Sequence, residues 1–185
     1  MGLIGHNGGP SVQSGASWRR HCWTAARAQL LPTLPIEVLR LRVNRARDLG
    51  LDYKTYASVR AATGHDVVAF LFSSNALRLA PGRVVITADR AEKLAIVKAS
   101  RVALATSPLQ PALVLQANAV LDAAHRAPYA LARFGDVAVD LRAALGKTPG
   151  DRVILVGDHL LEADWCAAGR LAGYLAADRY FGLRP

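Results

Sequence analysis

The sequence predicts an α/β fold, with a helical N-terminal part followed by a small parallel sheet flanked by helices. Three observations predict it. In the second half, short apolar runs at residues 84–87, 102–105 and 152–156 alternate with longer stretches of helical spacing, and strands apolar on both faces belong to parallel sheets covered on both sides. Residues 36–62 carry helix caps and a 3.6-residue apolar period instead. Between the two textures stands Pro81-Gly82, the sharpest break in the chain. With 185 residues, 52% of them hydrophobic, the chain can bury one real core.

Taken in order, residues 1–16 hold five glycines with Asn, Ser and Pro and read as a flexible arm. GHNGG at 5–9 lacks the preceding strand and following helix of a phosphate loop. A short helix is expected over 18–31, ended by Pro32 and Pro35. From Pro35, Ile36, Leu39, Val43, Ala46 and Leu49 recur at helical spacing, with Arg40, Arg42, Arg45 and Arg47 opposite. Gly50 ends that helix, Asp52 caps a second one over 53–62, and Thr63-Gly64 closes it. Residues 66–79 fit either helix or strand; the Gly64-His65-Asp66 opening and the length favour helix. Beyond Pro81-Gly82 we expect a strand at 84–87, a helix at 88–100 and a strand at 102–105. Helices follow at 108–127 and 138–145, then a turn at 148–151, a strand at 152–156 and a last helix over 161–181. The expected division is an arm at 1–16, a basic helical part at 17–80 and an α/β part at 83–185, the last two able to share one compact domain.

The formal net charge is +9, with 23 Lys and Arg against 14 Asp and Glu. Within residues 1–60, nine cations face Glu37, Asp48 and Asp52, an excess that suits an anionic partner such as nucleic acid. A GC-rich genome enriches Arg and Ala together and is the competing explanation. Cys22 and Cys166 are far apart and outside any CxxC or Cys/His spacing, which argues against a disulfide framework or structural zinc. None of His21, His65, His125 and His159 has a histidine partner at metal-binding spacing. The start lacks a signal-peptide pattern and no run approaches a membrane span, so the expected location is cytoplasmic, with no membrane partner. Composition leaves the oligomeric state open.

Two segments carry chemistry. VALATSP at 102–108 is a strand ending in Thr and Ser. VILVGDHLLEADWCAAGRLAGY at 153–174 is a strand ending in Gly-Asp, followed by a second acid and Ala-Ala-Gly. Together these resemble the second and fourth motifs of the haloacid-dehalogenase-like fold. The resemblance implies Thr106, with Ser107 beside it, as phosphate ligands. It also implies Asp158 with Glu162 or Asp164 as ligands for magnesium, a hard cation that takes carboxylate oxygens. The family's nucleophile belongs to an Asp-x-Asp signature on its first strand, and VVAFLFSSNAL at 67–77 has Ser73 and Asn75 where the aspartates would stand. Neither can form an aspartyl-phosphate, so phosphatase turnover is not expected.

RARDLGLDYKTYASVRAATG at 45–64 resembles a helix-turn-helix, with Leu49-Gly50-Leu51 at the turn and Tyr56 and Val59 inward. That reading offers Arg42, Arg45, Lys54, Thr55, Ser58 and Arg60 to phosphates or base edges; Arg45 stands where the motif expects an apolar residue, and an ordinary helical hairpin fits the segment better. Three functions follow: a non-catalytic or catalytically degenerate protein, without a cofactor, binding an anionic partner such as nucleic acid through its basic third; a phosphate-handling hydrolase using magnesium; or an adaptor whose arginines are compositional.

Overall fold

The computed structural model describes residues 34–129 and 131–182. The arm expected at 1–16 and the helix expected at 18–31 lie outside these residues. Two compact units are distinguished, 1–39 and 40–185, and the first is described only at 34–39, where helix α1 (Ile36–Asp48) begins.

In the second unit, α1 turns through Leu49-Gly50-Leu51 into α2 (Tyr53–Thr63). Both expected caps are present. Asp52 accepts from the Thr55 N–H at 2.8 Å, and Gly64 adopts φ 75° with its N–H donating to Arg60 O. The Asp52 carboxyl is desolvated, yet the Thr55 side chain, backbone N–H groups and Arg179 hold it below the usual carboxylate range. Gly50 lies at φ 65°, which lets the chain reverse where a side chain would be strained.

The remainder alternates strand and helix: β1 (Ala69–Ser73), α3 (Ala88–Ile96), β2 (Ser100–Ala105), α4 (Pro111–Ala117), β3 (Ala123–Arg126), α5 (Phe134–Leu145), β4 (Val153–Gly157), α6 (Leu160–Gly169), β5 (Gly173–Ala176) and α7 (Ala177–Gly182). The five strands form one parallel sheet in the order β3-β2-β1-β4-β5. The α/β expectation is met.

The segment at 66–79, for which the opening and length favour helix, is instead the central strand. Its five residues Ala-Phe-Leu-Phe-Ser are all buried, so no polar face marks the strand's period of two. Pro81-Gly82 therefore does not separate helices from sheet. The basic hairpin shares the sheet's core: Ala46, Leu49, Leu51 and Tyr56 pack in one cluster with Phe70, Phe72, Leu94 and Tyr180.

Alternation along β1 builds two layers. Phe70 and Phe72 face α2, α3 and α7, while Ala69 and Leu71 join Val137, Leu141 and Trp165 of α5 and α6. The chain leaves β1 in one direction through β2 and β3, then returns to the other side of β1 for β4 and β5. Such a doubly wound sheet has its switch point between β1 and β4, and ligands bind beyond the carboxyl ends of strands there. Among the described residues no helix is long and apolar enough to cross a membrane.

Candidate ligand site at the carboxyl edge of the sheet

Three strand ends meet at this edge. The middle one is Ser73-Ser74-Asn75 after β1; Thr106-Ser107 after β2 and Gly157-Asp158-His159 after β4 flank it. Because strands in a sheet are about 4.8 Å apart, Thr106 and Asp158 stand two strand spacings from one another, with the β1 end between them.

Glu162, in the first turn of α6, ties the β1 and β4 ends together. It is only 3% exposed. One carboxylate oxygen, Oε2, accepts from Ser73 Oγ at 2.9 Å, the Asp158 N–H at 2.7 Å and the His159 N–H at 3.3 Å. The other, Oε1, accepts from Asn75 Nδ2 at 2.8 Å. Gly157 makes this reach possible: a Cβ there would lie 2.6 Å from Glu162 Oε2 and 2.6 Å from the Tyr174 ring. Tyr174 closes the corner by donating to His159 O at 3.3 Å. Burial raises its phenol pKa, and the Glu162 and Asp158 charges add to the rise.

On the other flank, Ser74 Oγ donates to Thr106 Oγ1 at 2.9 Å and accepts from the Thr106 N–H at 3.1 Å. A hydroxyl that accepts a proton keeps its own to give away. Thr106 is half-buried and Ser107 exposed, so both hydroxyls can donate beyond the sheet edge.

The magnesium site implied by the resemblance does not fit these residues. Glu162 spends both oxygens on four donors, and Asp164 lines a separate groove with Ala132, Phe134, Val137, Leu161 and Trp165. Asp158 is exposed and stands without a second free carboxylate ligand. Among the described residues no group of three or more His, Cys, Asp or Glu is placed to hold a metal.

Sequence reasoning did not single out Arg90, in the first turn of α3. Its side chain is 3% exposed with Nε and Nη1 unpartnered, and the guanidinium stands 4.4 Å over the Phe181 ring. Burial lowers its pKa, as does the Arg78 charge; Asp89, Asp158 and Asp178 act in the opposite sense. Because α3 connects β1 to the parallel strand β2, its first turn, with Arg90, starts on the carboxyl side of the sheet. Arg78 itself is an exposed non-glycine residue at φ 56°, a strained backbone of the kind that collects at functional sites.

Of the six residues predicted to read nucleic acid, Lys54 and Ser58 are exposed, Arg42, Arg45 and Arg60 are half-buried and Thr55 is buried. Arg45 is half-buried and acts as a fastening: Nε donates to Asp66 Oδ2 at 2.8 Å, Nη2 to Val67 O at 2.8 Å and Nη1 to Lys98 O at 3.0 Å. Thr55 is buried, donating to Asp52 Oδ2 at 2.6 Å and accepting from Arg179 Nη2 at 2.8 Å. Ser58 Oγ donates to Thr55 O at 2.9 Å and Arg60 Nη1 to Tyr56 Oη at 3.4 Å. Lys54 is exposed and Arg42 half-buried. Comparison with protein-family models, with curated proteins and with solved structures returns no match.

Proposed function

We propose that this protein binds a small phosphate-bearing anion at the carboxyl edge of its sheet and does not hydrolyse it. The observation that carries the reading is the Ser74–Thr106 bridge, which leaves the Thr106 hydroxyl proton to donate at the switch-point edge. Ser107 supplies a second hydroxyl, and Asn75 has an amide proton beyond the one given to Glu162. Turnover is absent from the proposal for a physical reason. Ser73 occupies the position that the haloacid-dehalogenase-like resemblance gives to a nucleophilic aspartate, and it is fully buried with its proton on Glu162.

Thr106→Val keeps the shape and removes the donor. It should weaken inorganic phosphate binding about tenfold or more, as loss of a hydrogen bond to a charged group costs about 1.5–3 kcal/mol, and should lower stability by about 1–3 kcal/mol because the buried Ser74 hydroxyl loses its acceptor. Titration calorimetry checks the affinity. A phosphomonoester assay with magnesium should show no phosphate release, and release abolished by Asp158→Asn would overturn the non-hydrolytic reading.

A second reading, nucleic-acid binding through the basic hairpin, is favoured by the net charge of +9 and by the exposure of Arg40, Arg47 and Lys54. It requires duplex affinity that falls steeply with salt, because each neutralised phosphate releases counterions. Replacing Arg42, Lys54 and Arg60 together by Gln should then flatten the slope. Arg45 is kept, since its loss would unfasten α1 from Asp66. No duplex binding at low salt removes this reading.

A further inference from the structure

The geometry points to Arg90 as the charge-recognising arm of the carboxyl-edge site, taking a multi-oxygen anion of the phosphate type. The inference rests on the reading above and names the group that meets the ligand's charge. An arginine cannot shed its proton in a protein, so its burial is compensated only by partners. Here Nε and Nη1 have none. The ring of Phe181 covers one face of the guanidinium and leaves the in-plane N–H groups unanswered. Asp89, Asp158 and Asp178 act on Arg90 through space, but all three carboxylates are exposed, and none receives a hydrogen bond from Nε or Nη1.

The position is also unfavourable to a helix. Arg90 sits in the first turn of α3, where the macrodipole favours an acid, and Arg78 adds a second positive charge nearby. A side chain that opposes its helix, its neighbour and its own desolvation costs stability without a ligand. A tetrahedral anion reverses all three. It supplies several acceptor oxygens to the in-plane donors and negative charge to both arginines and to the helix start.

Thermal unfolding of the full chain tests this with two variants and inorganic phosphate as probe, against sodium chloride at equal ionic strength. Arg90→Met removes the charge and keeps a flexible apolar stem. Without phosphate its Tm should rise by about 2–4 °C, because an uncompensated buried charge has gone. Phosphate should raise the wild-type Tm and leave that of Arg90→Met unmoved. Arg90→Lys keeps a charge but not the planar fork, and its apparent phosphate affinity should fall about tenfold. A lower Tm for Arg90→Met without phosphate, failure of that variant to fold, or an unchanged phosphate response in either variant overturns the assignment. No phosphate response in the wild type overturns the binding reading itself, and the Arg90 assignment with it. A wild-type response that Arg90→Met retains overturns the assignment alone.

Discussion

Glu162→Ala is expected to destabilise the protein by about 3–5 kcal/mol, because several buried donors lose their acceptor at about 1–3 kcal/mol each. The deletion strands Ser73 Oγ, Asn75 Nδ2 and the N–H groups of Asp158 and His159. Ser73 is fully buried and has no water to turn to. Glu162→Gln behaves differently. Its amide oxygen can take the place of Oε2, and Asn75 can rotate its own amide to present oxygen to the new NH2 group. That variant should lose less than about 2 kcal/mol. Urea unfolding of the three proteins measures both differences. A loss below about 1 kcal/mol for Glu162→Ala would show that the carboxylate does not hold the β1 and β4 ends together.

Phe72→Ala should cost about 3–5 kcal/mol as well, the usual penalty for emptying a buried aromatic site. Phe72 is fully buried in the middle strand. Its ring lies 5.7 Å from Phe70, 5.6 Å from Tyr180 and 6.1 Å from Phe181. Aromatic pairs at such separations contribute about 0.5–1.5 kcal/mol beyond area burial. Natural domains are stable by only about 5–15 kcal/mol, so the variant should be close to unfolding at 37 °C. A small loss would contradict the placement of residues 69–73 at the centre of the sheet.

Much of this architecture is legible in the sequence where local and tertiary preferences agree. The hairpin of α1 and α2 is announced by Pro35, Asp52 and two glycines, and β2 and β4 by apolar runs that end in Thr106 and Gly157. The strand expected at 84–87 is a loop. Its β-branched residues suit a ladder, but Asn118 takes over their backbone groups, accepting from the Ile86 N–H at 2.8 Å and donating to Val84 O at 2.8 Å. Strands β3 and β5 were concealed for another reason. Ala123–Arg126 and Gly173–Ala176 have four residues each and lie inside Ala- and Leu-rich stretches whose composition reads as helix. Each is an edge strand held by a single neighbour, so little in its own residues declares it.

The site is legible to the same degree. Thr106, Asp158 and Glu162 stand after apolar strands and can be picked out by position, and Ser73 and Asn75 by where the resemblance places its aspartates. That Glu162 is a structural acceptor depends on donors up to 89 residues away, which no local pattern contains. Arg90 did leave a signal. Along α3 and its C-cap, Arg90, Lys93, Leu94 and Val97 recur at helical spacing and all are buried, so two cations occupy a stripe that should be apolar. Lys93 donates to Tyr180 O, and burial lowers its pKa to about 8.

The most direct test of the central claim is an amide chemical-shift map of the isotope-labelled full chain titrated with inorganic phosphate at constant ionic strength. The account predicts saturable shifts at Asn75, Thr106, Ser107 and the first turn of α3, with α1 and α2 unmoved. Shifts confined to the exposed basic residues of the hairpin, or none that saturate, would contradict it.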